Sequence, residues 1–84
     1  MIEYTREAKE DIAYWKSTNN QKILQRIREL LENIEKTPIT GIGKPEKLKH
    51  NFSGLWSRRI TKEHRLVYEV LKDKILIHSL KGHY

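Results

Sequence analysis

Hydrophobic positions recur along this chain with two periods, and the change of period divides it. Ala8, Ile12 and Trp15 stand at i, i+4 and i+7, an apolar stripe on one helical face. Thr5 precedes them as a candidate N-cap, and Glu7 and Glu10 suit the positive end of a helix dipole. Residues Met1 to Tyr4 before the cap read as a short strand. Ser17 to Asn20 is polar and turn-like, and Asn19 or Asn20 can cap a second helix. In that helix Ile23, Leu24, Ile27, Leu30, Leu31 and Ile34 repeat at three and four residues with charges between them. It stops at Thr37-Pro38, because a residue before proline avoids helical geometry.

From Thr37 to Gly54 the pattern lapses. Pro38, Gly41, Gly43, Pro45 and Gly54 punctuate a loop with at most short extended pieces. The final third reads as strands over Leu55–Ile60, His64–Leu71 and Ile75–Lys81, with short connections that imply an antiparallel meander. The expected fold is α+β: two N-terminal helices packed on one face of a small, mainly antiparallel sheet.

Register adds chemistry to this outline. If Ile60 closes on His64, Trp56 falls opposite Tyr68, a favourable aromatic pair, and Arg59 falls opposite Arg65 on the other side of the sheet. Like charges directly opposed are destabilising unless an anion sits between them, so Arg59 and Arg65 form a candidate phosphate clamp. The last hairpin can close Leu71 on Lys74 or on Ile75. The two registers differ by one residue, which reverses every side chain, and only the second brings Lys81 and His83 to the Arg65 face.

Composition narrows the partners. The chain has 84 residues, enough for one domain spanning 1–84, and a net charge of +6 that favours a polyanion, nucleic acid first. It has no cysteine, which fits a cytoplasmic setting, and so small a core makes a partner chain or a second copy a reasonable expectation. There is no apolar run long enough to span a membrane and no signal-peptide layout at the start. His50, His64, His78 and His83 lack metal-ligand spacing, and no phosphate-binding glycine loop is present, so no metal or cofactor is expected.

The remaining constellation is a lone carboxylate, Glu46, among lysines, with arginines downstream and a terminal histidine. RNA carries its own nucleophile, the 2′-hydroxyl. Cutting it without a metal needs a base, an acid and cations for the phosphorane. Glu46 is the candidate base, His83 the candidate acid, Arg65 and Arg59 the clamp, Lys49 and Lys44 holders of flanking phosphates, and Tyr84 a stacking or positioning aromatic. Trp15 and Trp56 read as core, and His64 and His78 as strand positions. A non-catalytic RNA-binding module fits the basic charge equally well.

Gly43-Lys44-Pro45-Glu46, Leu48-Lys49-His50, Ser53-Gly54, Trp56-Ser57-Arg58-Arg59-Ile60-Thr61, Glu63-His64-Arg65-Leu66-Val67-Tyr68 and terminal His83-Tyr84 together resemble the YoeB/Txe family of the RelE/ParE toxin superfamily. The resemblance covers nearly the whole chain. It implies the toxin of a bacterial type II toxin–antitoxin system, an endoribonuclease that enters the ribosomal A site and cleaves mRNA. It also implies a cognate antitoxin with an acidic C-terminal segment. It assigns the base to Glu46, phosphate stabilisation to Arg65, the acid to His83 with Tyr84 positioning it, and substrate phosphate contacts to Lys49 and Arg59. A gyrase-directed toxin on the same scaffold would need neither Glu46 nor a terminal histidine. Two positions depart from the pattern. Lys47 stands where relatives usually carry proline, and Gly82 precedes the His-Tyr pair, which questions how firmly that pair is held.

Overall fold

The fold is seen in a computed structural model that describes residues 1–49 and 54–82. The described residues form, in chain order, β1 (Ile2–Tyr4), α1 (Arg6–Thr18), α2 (Gln21–Lys36), β2 (Glu46–Lys47), β3 (Leu55–Arg59), β4 (Arg65–Val70) and β5 (Ile75–Ser79). The helix punctuation follows the sequence. The Thr5 side chain accepts from the Ala8 N–H, and the Asn20 side chain accepts from the Ile23 N–H. Asn19 between the helices takes a left-handed conformation, which asparagine tolerates.

The strands make one sheet in the order β1-β5-β4-β3-β2. β2, β3, β4 and β5 pair antiparallel in sequence, while β1 returns to lie parallel beside β5, Ile2 opposite Ile75 and Tyr4 opposite Ile77. That parallel edge joins the two ends of the chain and has no local sequence signal.

The helical layer covers one face of the sheet. Ala8, Trp15, Ile27, Leu30 and Ile34 pack against Ile60, Leu66, Tyr68, Ile75, Ile77 and Leu80. Opposed residues point to the same face, so the expected β3–β4 register orients the site. Trp56 opposite Tyr68 lies on the helix side, and Arg59 opposite Arg65 lies on the open side.

The ambiguous last hairpin uses both registers. It opens with the Leu71 N–H donating to the Lys74 C=O, and Tyr68 opposite Ile77. Between Val67 and Tyr68 the pairing slips, so that Val67 faces Ser79 and His78 is the extra residue of a β-bulge. The bulge is supported. The Thr5 hydroxyl donates to the His78 C=O, and the His78 ring meets Glu69 at 3.0 Å. Beyond the bulge the chain runs in the second register, and the Arg65 N–H donates to the Gly82 C=O at 3.1 Å.

Candidate active site

Glu46 reaches the open sheet face through a tight turn. Gly43 and Lys44 have φ of +80° and +52°, both left-handed. At Gly43 a side chain is excluded twice, since an added Cβ would lie 2.7 Å from Leu30 Cδ2 and the backbone angle is one that glycine takes freely. The Gly43 C=O accepts from the Arg59 N–H at 2.7 Å, which pins the turn to β3. Holding lysine in a left-handed conformation at 44 costs about 1 kcal/mol. Pro45 then leads into β2, where Glu46 stands opposite Ser57.

The loop behind this turn is gathered by a residue whose structural role the sequence reading missed. Arg58 is fully buried on the helix side of the sheet. Its guanidinium donates to the Thr37, Thr40 and Ile42 carbonyls, to Asn33 Oδ1 and to the Tyr68 hydroxyl. These recorded partners are neutral oxygens, so carbonyl and hydroxyl dipoles offset the cost of burying the cation. The Tyr68 hydroxyl donates onward to the Pro38 C=O at 2.6 Å. Burial raises the Tyr68 pKa above the usual phenol value, against a smaller opposing effect of the Arg58 hydrogen bond and charge. The pleat could have revealed Arg58: it lies between Trp56 and Ile60, both at helix-facing parity.

On the open face, Arg65 Nη1 lies 3.7 Å from Glu46 Oε1 and 3.4 Å from Ser57 Oγ. Arg65 is the more enclosed partner, its side chain 21% exposed against 60% for Glu46. A held guanidinium beside an accessible carboxylate suits a base and a phosphate-stabilising cation that share one substrate. Arg59 is exposed and stands directly opposite Arg65 in the strand pairing, the position expected of a clamp. Lys44 and Lys49 are exposed on either side of β2. His83 and Tyr84 lie outside the described residues, as does His50. Among the described residues, no group of three or more His, Cys, Asp or Glu side chains is placed to hold a metal ion.

The chain just before the terminal pair is firmly tied. The Leu80 N–H donates to Asp11 Oδ2 at 2.9 Å, and the Trp15 indole donates to the Leu80 C=O at 2.8 Å. Lys81 Nζ sits 3.9 Å from the centre of the Tyr14 ring, so its ammonium is directed to α1 rather than to Arg65. Gly82 has φ of +78° and both of its backbone groups are bonded, the N–H to His64 Nδ1 and the C=O to the Arg65 N–H. The glycine thus serves a left-handed position, and how firmly His83 and Tyr84 are held lies outside the described residues.

Two helices on one face of this sheet is the architecture of small bacterial toxins of known structure. The chain superposes on a YoeB/ParE toxin from Agrobacterium tumefaciens with a TM-score of 0.94, 36% identity, and coverage of 99% of this chain and 98% of that one. It matches the Staphylococcus aureus toxin of the heterotetrameric YoeB-YefM complex with a TM-score of 0.89 and 47% identity, covering 100% and 97% of the two chains. A YoeB dimer from Staphylococcus aureus gives a TM-score of 0.88 and 48% identity over 99% of this chain and 95% of that one. Toxin YoeB of Escherichia coli K12 is 49% identical over 81 residues, 96% of this chain and 95% of its own length. The family model described as the YoeB-like toxin of bacterial type II toxin-antitoxin system matches residues 4–84, and the chain belongs to that family.

Proposed function

We propose that this toxin is a metal-independent endoribonuclease that cleaves mRNA in the ribosomal A site and thereby stops translation. The observation that carries the reading is the Glu46–Arg65 approach at 3.7 Å on a basic, helix-free sheet face. Glu46 takes the proton of the 2′-hydroxyl, which attacks the adjacent phosphorus. Arg65, with Arg59 and Lys49, stabilises the phosphorane, and Lys44 holds a flanking phosphate. His83 protonates the departing 5′-oxygen, and Tyr84 positions it. The products are a 2′,3′-cyclic phosphate and a 5′-hydroxyl. The ribosome supplies the ordered substrate.

The same basic face suits an acidic C-terminal segment of a cognate antitoxin, which would both block and stabilise it. A Staphylococcus aureus relative has been solved with YefM, which supports this partner, and a Staphylococcus aureus YoeB has been solved as a dimer, which supports a homodimer of this chain. No helix among the described residues is long and apolar enough to cross a membrane, and action at the ribosome implies a cytoplasmic site.

Mass analysis of RNA ends after cleavage on purified ribosomes tests the chemistry. The reading expects 2′,3′-cyclic phosphate and 5′-hydroxyl termini. A 3′-hydroxyl with a 5′-phosphate would mean that water attacks with a different leaving oxygen, and would remove the assigned roles of Glu46 and His83.

A further inference from the structure

The two residues that open β4 hold Gly82 from both sides. The His64 backbone is fixed first. Its C=O accepts from the Ile60 N–H at 2.9 Å and the Thr61 N–H at 3.1 Å, and its own N–H donates to Thr61 Oγ1 at 3.1 Å. The ring is fixed next by an edge-to-face contact with Trp15, centroids 4.8 Å apart at 83°. So constrained, Nδ1 lies 2.8 Å from the Gly82 nitrogen and accepts its proton, while the next residue, Arg65, donates its N–H to the Gly82 C=O at 3.1 Å. The Arg65 guanidinium is at the same time 3.7 Å from Glu46. One hydrogen bond therefore ties Gly82 to Arg65, the partner of Glu46, and a second ties it to His64, the residue before Arg65.

We propose that His64 is a positioning residue: its ring, accepting through Nδ1 with its proton on Nε2, fixes the Gly82 amide beside Arg65, and cleavage by the proposed acid that follows Gly82 in sequence depends on that bond. A ring nitrogen accepts only when it carries no proton, so the arrangement specifies one tautomer of His64. The inference rests on the reading of His83 as the general acid. In such chemistry a displacement of about 1 Å costs about 10²-fold in rate, so the anchor's effect is kinetic more than structural.

Asparagine places an acceptor oxygen near Nδ1, and glutamine reaches one bond further. Phenylalanine keeps the ring contact with Trp15 and removes the acceptor. The test compares the wild-type toxin with His64→Asn, His64→Gln and His64→Phe in the full chain. Amide hydrogen exchange at Gly82 is read by NMR, and single-turnover mRNA cleavage and apparent ribosome affinity are measured beside it.

The expected result is that His64→Phe and His64→Gln lose Gly82 protection and cleave about 10- to 100-fold more slowly. Ribosome affinity stays unchanged, and His64→Asn recovers most of both signals. Equal loss in Asn and Gln, or a His64→Phe variant that keeps its rate or its Gly82 protection, would overturn the proposal. The Asn–Gln comparison decides it even if phenylalanine disturbs folding. Failure of the wild-type chain to cleave would instead remove the nuclease reading and with it the catalytic purpose of the anchor, a result distinct from unequal behaviour among active variants.

Discussion

Glu46 and Arg65 meet across three strands: Glu46 stands opposite Ser57, and Arg65 reaches diagonally past Ser57 Oγ to bring Nη1 within 3.7 Å of Glu46 Oε1. The contact is longer than an ideal bidentate pair, and Glu46 is well exposed, so its contribution to stability is small. Under the proposed function its consequence is positional: a phosphate engaging Arg65 would bring the neighbouring 2′-hydroxyl to Glu46.

The pair predicts an ordering of variants. Glu46→Gln keeps shape and loses the base, and cleavage falls by about 10²- to 10⁴-fold. Arg65→Ala falls by about 10²- to 10³-fold, while Arg65→Lys lies between Ala and wild type because it keeps charge without the planar fork. Single-turnover cleavage rates check this. Equal rates for Arg65→Lys and Arg65→Ala would mean that charge at this position is not what acts.

Arg58 behaves differently from its neighbour Arg59. Replacing it with Met leaves the Thr37, Thr40 and Ile42 carbonyls without their donor, and the chain loses about 3 kcal/mol of stability. Arg59→Met, at an exposed position, changes stability by less than about 0.5 kcal/mol. Urea unfolding of both variants tests the contrast, and equal midpoints would show that the buried network carries little energy.

Tyr68 gives a pH signature. Its raised pKa comes first from burial, so the native state holds the phenol neutral. The stability this provides is complete below the unfolded phenol value of about 10 and is lost as pH rises through the higher folded value. Tyr68→Phe costs about 1–2 kcal/mol near pH 8 through the lost bond to Pro38, but declines less steeply between pH 8 and 11. Parallel declines in wild type and variant, followed by urea midpoints, would contradict this origin.

Much of the candidate site's layout was legible because it depends on one hairpin. Closing Ile60 on His64 fixes Trp56 opposite Tyr68 and Arg59 opposite Arg65, and all of these pairings occur. The helices were legible from their caps and apolar spacing. The last hairpin was not, because a bulge at His78 joins two registers that the sequence weighs equally. The parallel β1–β5 edge depends on a contact between chain ends. The path of residues 37–45 was hidden for another reason: its carbonyls are organised by Arg58, whose burial the β3 pleat implies but whose partners in the loop no local pattern names. Gly82 itself has a left-handed φ and is bonded to His64 Nδ1, a partner no local pattern reveals.

The most direct measurement is primer extension on an mRNA translated in a purified bacterial system, comparing wild type, Glu46→Gln and a chain ending at Gly82. Discrete cuts at the A-site codon with wild type, lost in both variants, are the predicted result. Intact mRNA with wild type, or cuts that persist in Glu46→Gln, would contradict the account.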